Sequence, residues 1–510
     1  MKKFSIGLIL ALAGLTIGLL FASAAPEVVA AEKVLKVRMG GGIAGIDPAT
    51  IFQIENQSIA LNVYNGLVKY NEKTNDIEPD LATSWEISGG GKVYTFNLRK
   101  GVKFHKGYGN FTAEDVKYSY DRVVKPETGS RYKGEFQNVV KTEILNPYQI
   151  RFTMKKAFNF LHKVAINQGH IVKKAAVEKF GDDYPLNPIG TGPFVFDKWI
   201  QGSEVHLVAN KDYFGGAPKI DRVVMKVIKE EAAAEIAFLN REIDVFWAMR
   251  SADVINRLKK QSKVTVQERP ANHTINFVLN TTYKPLGNKK VRQAIAYAIN
   301  RKAIVEDFFQ NLTGMARSAA LTSNFPEYSD NVKQYNYNPD LAKKMLAEAG
   351  YPNGFDLDVI GISLFPYSEI PVIIAEDLRK VGINPTVKII ERSAYGQARA
   401  KGEIQTAITG IVGAPDPDHP LWRLYHTSSF PPGMNTARYG AVDSLLEKAQ
   451  VEQNTKRRMK LYEQIQQQVV EDIPVIPLYE AFVYQAFNNN VKGLPLNSMA
   501  TINFYPVSMD

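Results

Sequence analysis

Apolar and polar positions alternate most clearly between Glu78 and Asp121. Tyr94, Phe96 and Leu98 alternate with Val93, Thr95 and Asn97, the period of a strand with one buried face. The glycine run 89–91 just before it supplies a tight turn from an earlier strand-like segment. From Phe111 the period changes to that of a helix. Thr112 is placed to cap it, and Glu114 and Asp115 fall in the first turn, where the helix end favours negative charge. Tyr118 and Tyr120 carry the helix toward Val123. The same reading of the first half predicts strands at 35–39, 67–70, 205–209, 222–227 and 244–247, with two more in 139–154 around Asn146-Pro147. It predicts helices at 59–64, 158–166, 173–180 and 231–238.

In the second half, Val291, Ala294, Ile295, Ala298 and Ile299 share one face of a helix expected within 285–301. A helix over 338–350 closes on Gly350. Strands at 276–280, 355–360, 385–390 and 406–412 and a helix at 370–381 argue for an α/β unit with a mixed sheet. Two amphipathic helices fill 442–470, 472–479 reads as extended, and 482–488 and 491–494 read as a return to the first part of the fold. The N-terminus is of another kind. Met1-Lys2-Lys3 precedes an apolar run, 4–21, and then small residues that offer cleavage after Ala24 or, preferably, Ala31. A permanent anchor is the alternative, since the run nearly spans a bilayer, but the small-residue tail fits processing better.

Composition adds bounds. A chain of 510 residues, 45% hydrophobic and 22% charged, is an ordinary soluble protein with room for two to four domains. The net charge of +10 is spread out. Its densest run, Lys456-Arg457-Arg458, lies in an amphipathic helix and reads as solvated surface, so no nucleic-acid partner is expected. There is no cysteine. That excludes disulfides, a thiol nucleophile, a thiolate metal site and a lipid on an N-terminal cysteine.

Catalytic constellations are not visible. The seven histidines (His105, His162, His170, His206, His273, His419 and His426) fall in no HExxH or Gly-x-Ser-x-Gly arrangement, and no enzyme is expected. His105, in a hairpin string, reads as structural. Gly40–Gly42 after the first strand lets the backbone come close to a ligand, but it is neither GxGxxG nor a phosphate loop. Asp416, Asp418 and His419 form the one dense polar cluster. A divalent-cation site is one reading of it. A rigid turn set by Pro415, Pro417 and Pro420 is the preferred one, so neither metal nor cofactor is expected.

Several strings occur in order: Ile46–Ala49, Val63–Leu67, PDLATSWEIS at 79–88, YTFNLRKGVKFH at 94–105, FTAEDV at 111–116, PIGTGPFVF at 188–196 and the segment 285–301. Together they resemble the peptide-type substrate-binding proteins of ABC importers, solute-binding protein family 5, over nearly all of 35–506. The resemblance implies an α/β fold with two lobes and a hinge: the type II periplasmic-binding-protein fold in its large three-subdomain form, mixed sheets flanked by helices. It implies a signal peptide at 1–31, lobe I at 32–282 with 79–189 inserted, lobe II at 283–483, and a return to lobe I at 484–510. The expected role is a monomeric periplasmic receptor, not a lipoprotein, that captures a peptide or peptide-like small solute and passes it to ABC permease subunits. Alternatives are a receptor for a neutral, aromatic or metal-chelate solute and, from other classes, a secreted hydrolase or a chaperone-like protein.

The resemblance also places the cleft. Gly41, Gly42 and Ile43 line it from the first loop, with Asn65 nearby. Phe365, Tyr367, Ile411, Val412, Ala414, Asp416 and Asp418 belong to the opposite wall. Trp422 either packs its own helix or faces the ligand. In the dipeptide binders an aspartate takes the peptide amine and an arginine ahead of Pro-Tyr takes the carboxylate, because a buried zwitterion needs both partners. Here Ala414 stands at the aspartate, Ile411 at an aromatic position and Phe365 at the arginine. Either the cleft takes longer peptides by their backbone or a less polar solute, or Asp416 or Asp418 serves the amine.

Overall fold

Most of the expected strands gather into one large mixed sheet and one small antiparallel sheet. This computed structural model describes residues 32–510 apart from Phe52, Arg131, 318–320, Gly413 and Gln453; the expected leader at 1–31 lies outside the described residues. The principal strands in chain order are β1 (Val34–Met39), β2 (Ala82–Ser88), β3 (Val93–Leu98), β4 (Val139–Asn146), β5 (Gln149–Met154), β6 (Phe194–Ile200) and β7 (Glu204–Ala209). They continue as β8 (Arg222–Val227), β9 (Val245–Met249), β10 (Val264–Leu279), β11 (Asp356–Ile362), β12 (Asn384–Ile390), β13 (Thr406–Val412) and β14 (Val475–Asn488). The large sheet runs β12-β11-β13-β10-β14-β9-β1-β8-β7-β6, with a short strand at Gly314–Met315 also on β14. The small sheet is β2-β3-β5-β4.

β10 and β14 hold the large sheet together. They pair antiparallel from Val264 opposite Asn488 to Val278 opposite Val475, with register breaks between Pro270 and Thr274 and between Ile275 and Asn276. The first major core contains Val37, Tyr94, Phe96, Met225 and Phe487. The second contains Ile275, Phe277, Ile374, Val475 and Leu478. On one side of the register breaks both strands lie in the second core; on the other, Phe487 of β14 enters the first core, while Val264 and Val266 of β10 and Tyr484 and Ala486 of β14 pack a third cluster with Phe246 and Ile255. The sequence showed only their apolar ends, 276–280 and the extended piece 472–479. Gln267, Glu268, Arg269, Asn272 and His273 interrupt the alternation where the strand crosses.

Helices follow the sequence with instructive exceptions. α1 (Ile54–Val63) begins earlier than the expected 59. Its first turns are polar, and Ser58 there is buried by bonding locally and across the fold: its Oγ donates to the Ile54 carbonyl at 2.7 Å and accepts the Ile502 N–H at 3.3 Å. α2 (Ala113–Val124) starts after Thr112 as expected, with the Thr112 N–H donating to Asp115 Oδ2 at 2.9 Å. The helix expected at 158–166 shortens to α3 (Phe160–Val164). α4 (Lys289–Ala298), capped by Asn288, buries Val291, Ala294, Ile295 and Ala298. α5 (Ile370–Lys380), α6 (Arg392–Lys401), α7 (Asp418–Tyr425), α8 (Asp443–Val451) and α9 (Thr455–Asp472) complete the set used below. Among the described residues no helix is long and apolar enough to cross a membrane.

The 188–196 string is a point of close backbone approach. A Cβ on Gly190 would lie 2.0 Å from the Val63 carbonyl oxygen, so only glycine fits against the end of α1. His105 ties this string down. Its N–H donates to the Gly190 carbonyl at 2.8 Å and its Nε2 to the Gly192 carbonyl at 2.9 Å. Burial pushes the imidazole down to about 4, so it is neutral in the folded protein at neutral pH. Between pH 6.5 and 4 the unfolded chain binds a proton here that the folded chain does not, so stability falls as pH falls through that window. His105→Gln, which keeps a donor, should flatten the acid limb of urea unfolding by up to about 1.4 kcal/mol per pH unit. An unchanged limb would mean that His105 is charged in the folded state.

Candidate functional site

The crossing of β10 and β14 brings one group of expected residues together. Tyr367 follows β11, and its hydroxyl lies 3.5 Å from Nε2 of His273 on β10. Both sit over Gly410 of β13, where a Cβ would come within 2.1 Å of the phenol oxygen and 2.5 Å of Nε2. Glycine at 410 therefore makes room for the pair. Burial pushes His273 down to about 4, helped by the positive charge of Arg250, and lifts Tyr367 to about 12 against the pull of Arg392 and Arg250. Both side chains are neutral at pH 7. Phe365 is beside them in the chain but sends its ring, 50% exposed, toward Phe308 and Phe309, whose centroids are 6.1 and 6.4 Å away. Ile411 is buried in the second core. Val412 ends β13, and its side chain lies outside the described set.

The glycine loop after β1 is a separate wall. Gly41 stands beside Glu55, whose Oε1 would be 3.2 Å from an added Cβ, Gly42 is exposed, and Ile43 turns into the first core. Arg38 anchors the loop's base by donating to the carbonyls of Ile228, Lys229 and Trp247 at 2.9, 3.0 and 3.3 Å. Asn65 is buried in a tie of its own. Its Nδ2 donates to both oxygens of Asp80 at 3.0 and 3.1 Å, and its Oδ1 accepts from Thr191 at 3.0 Å. These bonds commit its side chain to supporting the fold.

The turn 414–418 forms a third group, and it is an ion network. Ala414 is partly buried, and Asp416 and Asp418 are fully so. Arg458 of α9 lies 3.0 Å from Asp416 Oδ1 and 3.7 Å from Asp418 Oδ2, and Lys163 of α3 lies 3.7 Å from Asp416 Oδ2. The Tyr462 hydroxyl donates to Asp418 at 2.6 Å. Burial opposes the charge on Asp416, but its cationic surroundings hold it below the usual carboxylate range. His162 beside it is neutral, since burial takes it down to about 4, so Lys163 and Arg458 supply that effect at pH 7. Burial and the neighbouring Asp416 push Asp418 up instead. Both carboxylates are thus engaged within the protein. Arg458 itself corrects the solvated-charge reading of 456–458: its side chain is 12% exposed. Trp422 stacks on His426 at 3.7 Å and 9°, and its Nε1 donates to Ser428, so its ring packs its own helix. Among the described residues no group of three His, Cys, Asp or Glu converges as a metal site.

Lys163, Arg250 and Arg392 were not singled out by the sequence, and His273 was named there only as one of seven histidines outside any catalytic arrangement. Arg458 alone left a signal, a charge inside an amphipathic helix, and its partner is 42 residues away.

The comparisons with known proteins agree with one another. Residues 76–431 match the family described as "Bacterial extracellular solute-binding proteins, family 5 Middle". Heme-binding protein A of Haemophilus influenzae is 32% identical over 91% of this chain and 90% of its own. The dipeptide-binding protein of Escherichia coli is 29% identical over 88% and 89%. The solved structure of the periplasmic binding protein DppA from Helicobacter pylori, in complex with the peptide STSA, superposes with a TM-score of 0.80 at 29% identity, covering 93% of this chain and 98% of the other.

Removing Arg458 would leave two buried carboxylates with Lys163 as the remaining cation 3.7 Å from one of them. Arg458→Met should therefore cost about 3–5 kcal/mol of unfolding free energy. Arg457→Met, which removes a 70% exposed side chain paired with Glu452 at the end of α8, should cost under about 1 kcal/mol. Equal losses in the two variants would contradict the buried network.

Proposed function

This chain belongs to the bacterial extracellular solute-binding proteins of family 5, and on that premise we propose that it is the periplasmic receptor of an ABC importer for a peptide or peptide-like solute. One observation carries the mechanism: β10 and β14 pair along their length, with one end of both in the second core and the other end packed on the third cluster and, through Phe487, on the first. Two packed bodies joined by continuous strands bend at the join, and a solute held between them biases the equilibrium toward closure. We assign lobe I to 32–282 and its return 484–510, with 79–189 inserted, and lobe II to 283–483. The small sheet β2–β5 falls in the inserted part. Export by a cleavable leader at 1–31 and docking of the closed form on a permease belong to the same reading. So does the absence of chemistry: the role is capture and release.

A peptide fits this site through its backbone. Neither Asp416 nor Asp418 is free for an amine, and Phe365 offers no charge. The walls near Gly41 and Tyr367 instead present close backbone and a neutral hydroxyl. The relatives that support a peptide are those named or solved as peptide binders. The relative named for heme supports a second reading, a flat aromatic solute near Phe308, Phe309 and Phe365. Mass spectrometry of small molecules released by denaturing the freshly purified mature protein separates the two. Peptides in near-stoichiometric amount are the expected result. A porphyrin, or another single compound without peptide bonds, would overturn the peptide reading and keep the receptor.

A further inference from the structure

The ion network around Asp416 joins two bodies. Asp416 belongs to the second: Arg458 of α9 holds its Oδ1 at 3.0 Å, and Leu421 of α7 and Tyr462 of α9 close by are fully buried in the second core. Lys163 belongs to the first. It sits on α3, whose Phe160 and Val164 are fully buried in the first core. The Phe160 ring meets those of Tyr94 and Phe152 in the small sheet at 5.6 and 5.2 Å. The Tyr94 hydroxyl donates to the Phe158 carbonyl just before α3 at 2.6 Å, and that of Tyr70 lies 2.7 Å from Nδ1 of His162. The 3.7 Å approach of Lys163 to Asp416 Oδ2 is therefore a contact between the bodies rather than within one. A second contact runs the same way: Nζ of Lys156, after β5, lies 5.9 Å from the ring centre of Trp422 on α7.

The two cations on Asp416 act differently. Arg458 stays with Asp416 whether the bodies are together or apart, since both lie in the second. Lys163 leaves it when they part. With the bodies together, the Lys163 side chain is 12% exposed and that of Asp416 1%, and among the described residues Asp416 Oδ2 accepts no hydrogen bond. A carboxylate oxygen so nearly removed from water needs an opposite charge close by, and Lys163 supplies it on that side. With the bodies apart, water reaches both groups and the pair is worth little. Loss of Lys163 therefore penalises the closed arrangement alone.

We propose that Lys163 and Asp416 form a latch between the two bodies, so that a charge pair of the chain itself, and not the solute alone, sets how far the cleft stays closed. This rests on the receptor reading above and adds to it the contact that holds the closed form. The apparent affinity for any solute then scales with the population that the latch keeps closed.

The test is double electron–electron resonance between spin labels at Lys92→Cys in the first body and Lys343→Cys in the second, both exposed. The protein is the mature chain freed of solute by unfolding and refolding, and the probe is the acid-soluble extract of the untreated protein. At the amount of extract that brings half of the wild-type chains to the short distance, Lys163→Met should raise the ratio of long to short distances about tenfold. Lys163→Glu, which sets like charge against Asp416, should raise it further, and Lys163→Arg should restore much of the short distance. The melting temperature of stripped Lys163→Met should stay near wild type. Met and Glu variants that close like wild type, or a Met variant that loses as much stability as Arg458→Met, overturn the latch and leave the receptor reading in place. Variants that open the cleft although the extract leaves wild type unchanged keep the latch and remove the solute from the account. If neither the extract nor any variant moves the labels, both fall.

Discussion

Backbone hydrogen bonding between β10 and β14 is the constraint on which this structure depends. A sheet that serves two cores needs strands that cross from one to the other, and every buried N–H and C=O on the way needs a partner. The two strands meet that demand by pairing from Val264 to Val278 and by concentrating the misfit into two register breaks. Polar residues gather there because neither core claims them. Arg269 reaches the carbonyls of Glu72 and Leu496, Asn324 reaches that of Pro270, and His273 faces Tyr367. The register breaks are thus also the place where polar side chains gather.

Electrostatics divides the region into two kinds of ground. Around Asp416 the charges are matched and buried: Arg458, Lys163 and Tyr462 meet Asp416 and Asp418 from α9 and α3. Such a network is specific in geometry and costly to break, which suits it to framing a wall. Around Tyr367 the opposite holds. Burial keeps the phenol and His273 neutral.

Much of the fold was legible because its signals are local. Val93–Leu98, the Thr112 cap, the apolar face of α4 and the strand 406–412 need only a few neighbouring residues to be read, and each stands where the periodicity put it. The polar start of α1 was not legible, since Ser58 is buried against a distant part of the chain, where its hydroxyl accepts the N–H of Ile502. The same reason hid the long crossing strands, whose polar middles look like loops until the partner strand is in place. The part played by Arg458 was not legible, because a charge on an exposed-looking period has the same local pattern whether it meets solvent or a buried carboxylate.

The central claim is that the two cores move about β10 and β14 and that solute holds them together. The chain has no cysteine, so labels can be placed at will. Lys92→Cys beside the first core and Lys343→Cys on the helix over the second are both exposed positions. The direct measurement is the spin-label distance between them by double electron–electron resonance, on protein stripped of solute and then saturated with the acid-soluble extract of the untreated protein. A broad distribution that narrows and shortens on saturation is the predicted result. A single distance that is the same with and without the extract would contradict a hinge at the crossing strands.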